Sequence, residues 1–368
     1  MVKRILFLVL GFVFVFSVAA ECDQAPLRSL FVSVIQNPPV LSSRKDIAGL
    51  IDFAKQAHIK ILFVQIYHSG QSWFPSQIVD DSWYDLSRRA VLEDPLALLI
   101  REAHAQRIQV HAWLNLMSLG GNKDASFIKK YGTEILTQNL NEKHKLEDYK
   151  IDNQYFLEPG DPRVGNDLAQ IVLEVINRYP DLDGMQFDYI RYPDVHPHYG
   201  YTKINMERFK KSSGLKAIDE ASPVWQDWRR AQVTEVLKKL VRTIRSRRPK
   251  MQISTTGCMP YARAYYEAYQ NWPSWIDKGI VDFVTIMDYS TDVIQFKKWI
   301  MVIKGKTADF SKVHIAVGAE KLVHKPEIFE NEFNQCEQMK ANCTIFHYGN
   351  LLENPKLREF FVSRSHRS

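Results

Sequence analysis

The chain has 368 residues, 45% of them hydrophobic and 24% charged, and a formal net charge of +6. That balance suits a chain able to bury a large core and excludes one too polar to do so. Lysines and arginines are mostly interleaved with acids. The one basic cluster, residues 242–250 (RTIRSRRPK), reads as the solvated end of a helix, where cations complement the dipole, so nucleic acid is not the expected partner.

The first twenty residues form a secretory signal: Lys3 and Arg4, an apolar run over residues 5–18, then Ala19 and Ala20. The run is short for a membrane span, and no later stretch approaches the ~20 apolar residues one needs. Glu21 stands where a lipid-attachment motif would need a small residue before Cys22, so plain cleavage after Ala20 is expected. Residues 21–368 would then be an exported domain, periplasmic or secreted.

From there strand-like and helix-like segments alternate. Residues 30–36 (LFVSVIQ) are rich in β-branched and aromatic types, and residues 44–58 follow with helical spacing. The second strand is predicted over 61–67 (ILFVQIY), a proline-opened helix over 95–107, and the third strand over 108–116 (IQVHAWLNL). A long polar stretch, 120–161, precedes a helix over 164–179 and a fourth strand over 184–188. A second insertion, about 192–222, leads into a helix over 225–247. Strands over 251–256, 281–289, 313–317 and 344–348 complete the set. Eight strands alternating with helices predict a single (β/α)8 TIM barrel, of α/β class, with long loops after strands three and four. Loops of that length inside a compact domain usually carry function.

Four cysteines allow three pairings. Cys336 and Cys343 could bridge locally, leaving Cys22 and Cys258 as the other pair. Their spacing fits no common zinc site. Neither a metal nor a cofactor is expected.

In such barrels chemistry lies at the carboxyl ends of the strands, where the loops converge on one mouth. Gln65 and Tyr67 share a face by alternation, with His68 opening the loop. His111, Trp113 and Asn115 share a face on the third strand, and Gly184, Gln186 and Asp188 on the fourth. A polar group on the inward face is costly unless it is paired or used. Asp188 is therefore the leading candidate, with pairing to Arg191 or capping of the next loop as the structural alternative. His111 reads as a core histidine. Gln65 and Gln186 could equally be structural hydrogen-bonders.

Four segments carry a family resemblance: 110–115 (VHAWLN), 158–164 (EPGDPRV), 182–193 (LDGMQFDYIRYP) and 281–290 (VDFVTIMDYS). In this order and spacing the chain resembles the bacterial glycosyl hydrolase-like family 10 barrels, most strongly on strands three, four and six. The resemblance implies a barrel glycosidase. The fourth-strand element is also similar to that of the family-18 chitinases. There, however, Gln186 stands in place of an earlier acid and Ile190 in place of the general-acid glutamate, so chitinase chemistry lacks its proton donor.

Glycoside hydrolysis generally needs two carboxyl groups. Asp188 can be one. For the second, Glu320 shares parity with the small Ala316 and Gly318, and Glu158 could line the site from the long loop. Asp288 ends the sixth strand but turns outward if Met287 and Tyr289 face in. Sugar-binding candidates are Gln65, Tyr67, Trp113, Asn115, Gln186, Arg191, Asp288 and Tyr289. Trp73, Trp272, Trp275, Tyr189 and Tyr261 are further rings placed near the mouth. Three functions remain open: a glycoside hydrolase of an extracellular or cell-wall polysaccharide, a catalytically inactive carbohydrate-binding barrel, and another hydrolase such as a metal-assisted deacetylase. Against the last, no His/Asp cluster has ligand spacing.

Overall fold

The structure is a computed structural model describing residues 26–364. The predicted signal segment and Cys22 lie outside the described residues. Eight parallel strands make the barrel: β1 (Arg28–Val32), β2 (Ile61–His68), β3 (Gln109–Asn115), β4 (Gly184–Asp188), β5 (Gln252–Cys258), β6 (Phe283–Asp288), β7 (Val313–Gly318) and β8 (Asn342–Phe346). Each pairs with the next, and β8 pairs with β1 to close the ring. A two-residue strand, Gln71–Ser72, folds back on the end of β2.

The helices on the outside are α1 (Arg44–Gln56), α2 (Pro95–Ala105), α3 (Pro162–Arg178), α4 (Pro223–Arg245), α5 (Tyr261–Tyr266), α6 (Trp272–Asp277), α7 (Val293–Lys304), α8 (Pro326–Gln338) and α9 (Pro355–Arg364). Their starts follow local chemistry. Ser43, Asp94, Asp161 and Asp292 each accept a backbone N–H from the first turn of α1, α2, α3 and α7. Prolines open α2, α3, α4 and α8, where the missing N–H costs nothing. The loop between β3 and α3 carries a short helix, Ser126–Tyr131, and that between β4 and α4 carries another, Lys203–Ser213.

Two strand boundaries shift from the sequence reading for side-chain reasons. β1 stops at Val32 because the Gln65 carboxamide takes over. Its Oε1 accepts from the Ser33 hydroxyl at 2.8 Å and the Val34 amide at 3.2 Å, drawing this segment out of the sheet. β8 stops at Phe346 because His347 caps the helix Tyr348–Glu353, its Nδ1 accepting from the Gly349 amide at 3.1 Å.

Alternation divides the core. Leu30, Val32, Leu62, Val64, Ala112, Leu114, Met185 and Phe187 pack outward against the helices. Phe31, Ile61, Phe63, Trp113 and Phe283 fill the barrel itself. His111 and His314 join that inner layer, with His314 stacked on Phe283 at 4.3 Å. Burial pushes the pKa of each imidazole down to about 3, so both stay neutral. Gly184 makes room for His111: a Cβ there would lie 2.5 Å from the imidazole.

Cys336 and Cys343 form a disulfide; Cys258 is a buried free thiol, and the pairing with Cys22 falls outside the described residues. Among the described residues no helix is long and apolar enough to cross a membrane.

Candidate active site

A cleft of about 480 Å³ opens at the carboxyl ends of the strands. Its floor and walls come from Gln65, Trp113, Asn115, Asp188, Met287 and Phe346 on the strands. Tyr189, Arg191, Asp194, Tyr289 and Glu320 enter from the loops. The Pro260–Arg263 segment and Trp299 close one side.

Asp188 sits at the bottom, 5% exposed. Three donors converge on its carboxylate: Trp113 Nε1 at 3.2 Å, the Thr256 hydroxyl at 2.6 Å and the Tyr189 amide at 2.7 Å. The last is available because Tyr189 adopts a left-handed backbone (φ 55°), which folds its N–H back onto the preceding side chain. Donors of this kind fix a carboxylate's orientation and satisfy its lone pairs.

Tyr289 stacks on Phe346 at 4.9 Å, and Gly318 permits this, since a Cβ there would meet the Tyr289 ring at 3.1 Å. Burial, then the charges of Asp188 and Glu320, push the Tyr289 phenol well above its ordinary range. The hydroxyl thus stays protonated in the field of both carboxylates. Glu320 lies on the exposed rim, in the helical turn that follows β7.

Asp194 is the residue that sequence reasoning missed. It follows the RYP triplet on the loop after β4 and forms an ion pair with Arg191. It also pairs with Arg263 at 2.7 Å. Burial opposes its charge, but the two guanidinium groups outweigh burial and hold its carboxyl below the usual range. The available signal was an acid three residues after Arg191. Arg191 is itself buried and lies over the Tyr189 ring at 4.4 Å. Two imidazoles line the cleft. His68 contacts the amides of Gln65 and Asn115 at 3.3 and 3.4 Å. Burial lowers the pKa of His68, with Asp188 opposing, and lowers that of His347 to about 4.

Several candidates lie elsewhere. Tyr67 is fully buried on the outer face. A bulge causes this: the pairing runs Gln65 with Trp113 but Tyr67 with Leu114, so two steps of β2 match one of β3 and Tyr67 joins the outward row. Gln186 is inward but beneath the cleft, hydrogen-bonded to Ser254. Trp272 and Trp275 are fully buried between barrel and helices, with Trp275 donating to Thr234. Trp73 is buried against Trp83.

Glu158 is also away from the cleft and fully buried. It accepts from Thr137 at 2.9 Å, the Gly160 amide at 2.9 Å and the Tyr192 hydroxyl at 2.5 Å. Thr137 belongs to the loop after β3 and Tyr192 to the loop after β4, so Glu158 clamps the two long loops together. Glu158→Gln is expected to lower stability by about 1–3 kcal/mol, because it gives up charge-assisted bonds in a buried network. Thermal denaturation measures this, and an unchanged Tm contradicts the clamp.

Asp288 is buried on the outer face of β6 with no side-chain partner and only the Ser290 amide directed at it, and the carboxyl of Glu332 on α8 is likewise buried without a side-chain partner. Burial, then the charge of Glu332, pushes Asp288 up to about 8. Burial, then Asp292, pushes Glu332 to about 8. Between pH ~4 and ~8 the folded protein keeps protons that the unfolded chain has released. Stability present at acidic pH is therefore lost as pH rises through that window. Asp288→Asn should raise Tm at pH 8.5, by an amount equivalent to roughly 2–4 kcal/mol, and have little effect at pH 5. Equal shifts at both pH values would contradict the protonated pair.

Among the described residues no three His, Cys, Asp or Glu side chains stand close enough to hold a metal ion. His196 contacts the Tyr199 hydroxyl at 2.9 Å, and His198 pairs with Glu220 at 2.5 Å.

In class the molecule is a (β/α)8 barrel of the architecture found in glycoside hydrolases. The catalytic domain of a β-amylase from Paenibacillus polymyxa superposes with a TM-score of 0.59 at 11% identity, over 92% of this chain and 98% of that one. A GH36 α-galactosidase from Geobacillus stearothermophilus, solved with 1-deoxygalactonojirimycin, gives 0.52 at 12% identity, over 94% of this chain and 42% of that one. The chain belongs to the family described as glycosyl hydrolase-like 10, whose model matches residues 26–335. Glycosyl hydrolase DigH of Escherichia coli K12 is 24% identical over 299 residues, 72% of this chain and 65% of the relative. Glycosyl hydrolase YngK of Bacillus subtilis is 24% identical over 305 residues, 74% of this chain and 56% of the relative. The chain thus spans less than two thirds of the length of these relatives.

Proposed function

We propose that this barrel hydrolyses glycosidic bonds of an extracellular or cell-wall polysaccharide, with Asp188 and Glu320 as its working carboxyl groups. One observation carries the reading: both residues line a single cleft walled by Trp113, Tyr189, Tyr289 and Phe346. Rings of this kind suit the CH faces of a pyranose, and two carboxyl groups are what acid/base hydrolysis requires. Family membership supports the same chemistry.

The environments divide the roles. Glu320, exposed on the rim of the cleft, is assigned the role of general acid towards the departing glycosidic oxygen. Asp188, deep in the cleft and oriented by three donors, supplies negative charge to the oxocarbenium-like centre or activates the attacking species. Asp194 is excluded as the proton donor because two arginines hold it ionised. It anchors Arg191 and Arg263 instead. Tyr289, kept neutral by burial and by the charges of Asp188 and Glu320, lines the same cleft as both carboxyl groups. The test is the release of new reducing ends from a panel of bacterial cell-wall and exported polysaccharides. Binding without release would favour an inactive carbohydrate-binding barrel.

Export is part of the proposal. The Cys336–Cys343 disulfide suits an oxidising compartment. Mass spectrometry of the native protein should find Glu21 at the amino terminus, whereas an intact Met1 would overturn export.

A further inference from the structure

Beside the cleft lies a larger groove, about 930 Å³, between α5 and α7. The two adjoin, since Met259, Pro260 and Trp299 line both. The far wall of the groove is aromatic. Tyr261, Tyr265 and Tyr266 follow one another along α5, with ring centroids 5.8 and 5.0 Å apart. Tyr265 is held from behind by Arg230, whose guanidinium lies 4.0 Å from the ring centre and also bonds the Tyr265 carbonyl. Tyr266 is 57% exposed. A large ring that a folded chain leaves in water beside a cleft is available to a ligand.

The polar groups of the groove are neutral or cationic. Asn271 and Gln295 contribute amides, Lys298 and Lys306 contribute ammonium groups, and no carboxylate is among its lining residues. The Lys306 ammonium sits 4.9 Å from the Tyr261 ring centre, at the wall itself. Ring faces match sugar CH faces, amides match sugar hydroxyls, and unopposed ammonium groups match negative charge.

We propose that this groove is a second glycan subsite, which holds further units of a carboxylate-bearing chain whose scissile bond lies in the cleft. This rests on the glycosidase reading and extends it, because it adds binding for the chain on one side of the bond that is cut. Adjacency to the cleft names the occupant, since a chain held in the cleft that passes Trp299 reaches the groove.

The experiment uses a Tyr266→Ala/Lys298→Ala double variant of the full chain, both positions being exposed and outside the cleft. Affinity electrophoresis through gels containing hyaluronan or polygalacturonate, with amylose and xylan as neutral counterparts, reads binding without requiring turnover. The wild type should be retarded more by an acidic polymer than by either neutral one. The variant should lose most of that retardation, with about tenfold weaker affinity. Equal mobility of the two proteins in every gel overturns the subsite, and stronger retardation by the neutral polymers overturns its charge preference. Kinetics then separate the subsite from the catalytic reading. On a polymer that the wild type cuts, the variant should lose about tenfold in kcat/KM through KM, while a labelled disaccharide filling only the cleft is cut at the wild-type rate. Equal losses on both substrates overturn the proposal. Retardation without any cutting would sink the glycosidase reading and leave the subsite standing.

Discussion

Asp188→Asn should reduce turnover by several powers of ten while the protein remains folded and keeps its affinity for sugar. The amide matches the carboxylate in shape but can neither attack, stabilise an oxocarbenium-like charge nor accept a proton. The side chain accepts bonds from Trp113, Thr256 and the Tyr189 amide. Asn retains one acceptor oxygen and turns an NH2 towards at least one of those donors. A stability loss of about 1.5–3 kcal/mol is therefore expected as well. The two effects separate in one preparation, with turnover measured per folded molecule and Tm measured alongside. A wild-type turnover number with a lowered Tm would make Asp188 a structural carboxylate only.

Glu320→Gln is the second large effect, and its signature differs. The residue is exposed and makes no buried network, so Tm should move by less than about 0.5 kcal/mol equivalent. Turnover on a natural glycoside should fall by about 10²–10⁴, the usual worth of a general acid. A substrate whose leaving group needs no proton, such as a dinitrophenyl glycoside or a glycosyl fluoride, should recover most of the loss at the cleavage step. The limb of the pH–rate profile that reports the acid should flatten. Equal losses on activated and natural substrates would remove Glu320 from the donor role.

The barrel was legible because its determinants are local and periodic. Eight short β-rich runs, the first four each followed by a helical pattern, leave little choice of topology. Period-two alternation also separated Met287 and Tyr289 from Asp288, and those two side chains line the cleft while Asp288 does not. The same rule failed at Tyr67, because a bulge between Gln65 and Tyr67 shifts parity by one and leaves no mark in composition. Glu158 was misplaced for a different reason. Its partners Thr137 and Tyr192 come from two separate loops, and a contact between loops has no periodicity to reveal it. Trp272 and Trp275 sit on a helix that the sequence reading did not assign, and that helix turns both rings into the core. Asp194 became visible only once Arg191 and Arg263 were seen to converge on it.

The central claim is that this cleft cuts a glycan with water. Mass spectrometry of a polysaccharide digest measures that directly. The wild type should yield fragments that together carry one added water and one new reducing end per cut, and Asp188→Asn should yield essentially none at equal binding. A wild-type protein that binds the glycan yet leaves its length distribution unchanged, or that yields unsaturated fragments without added water, would contradict the account.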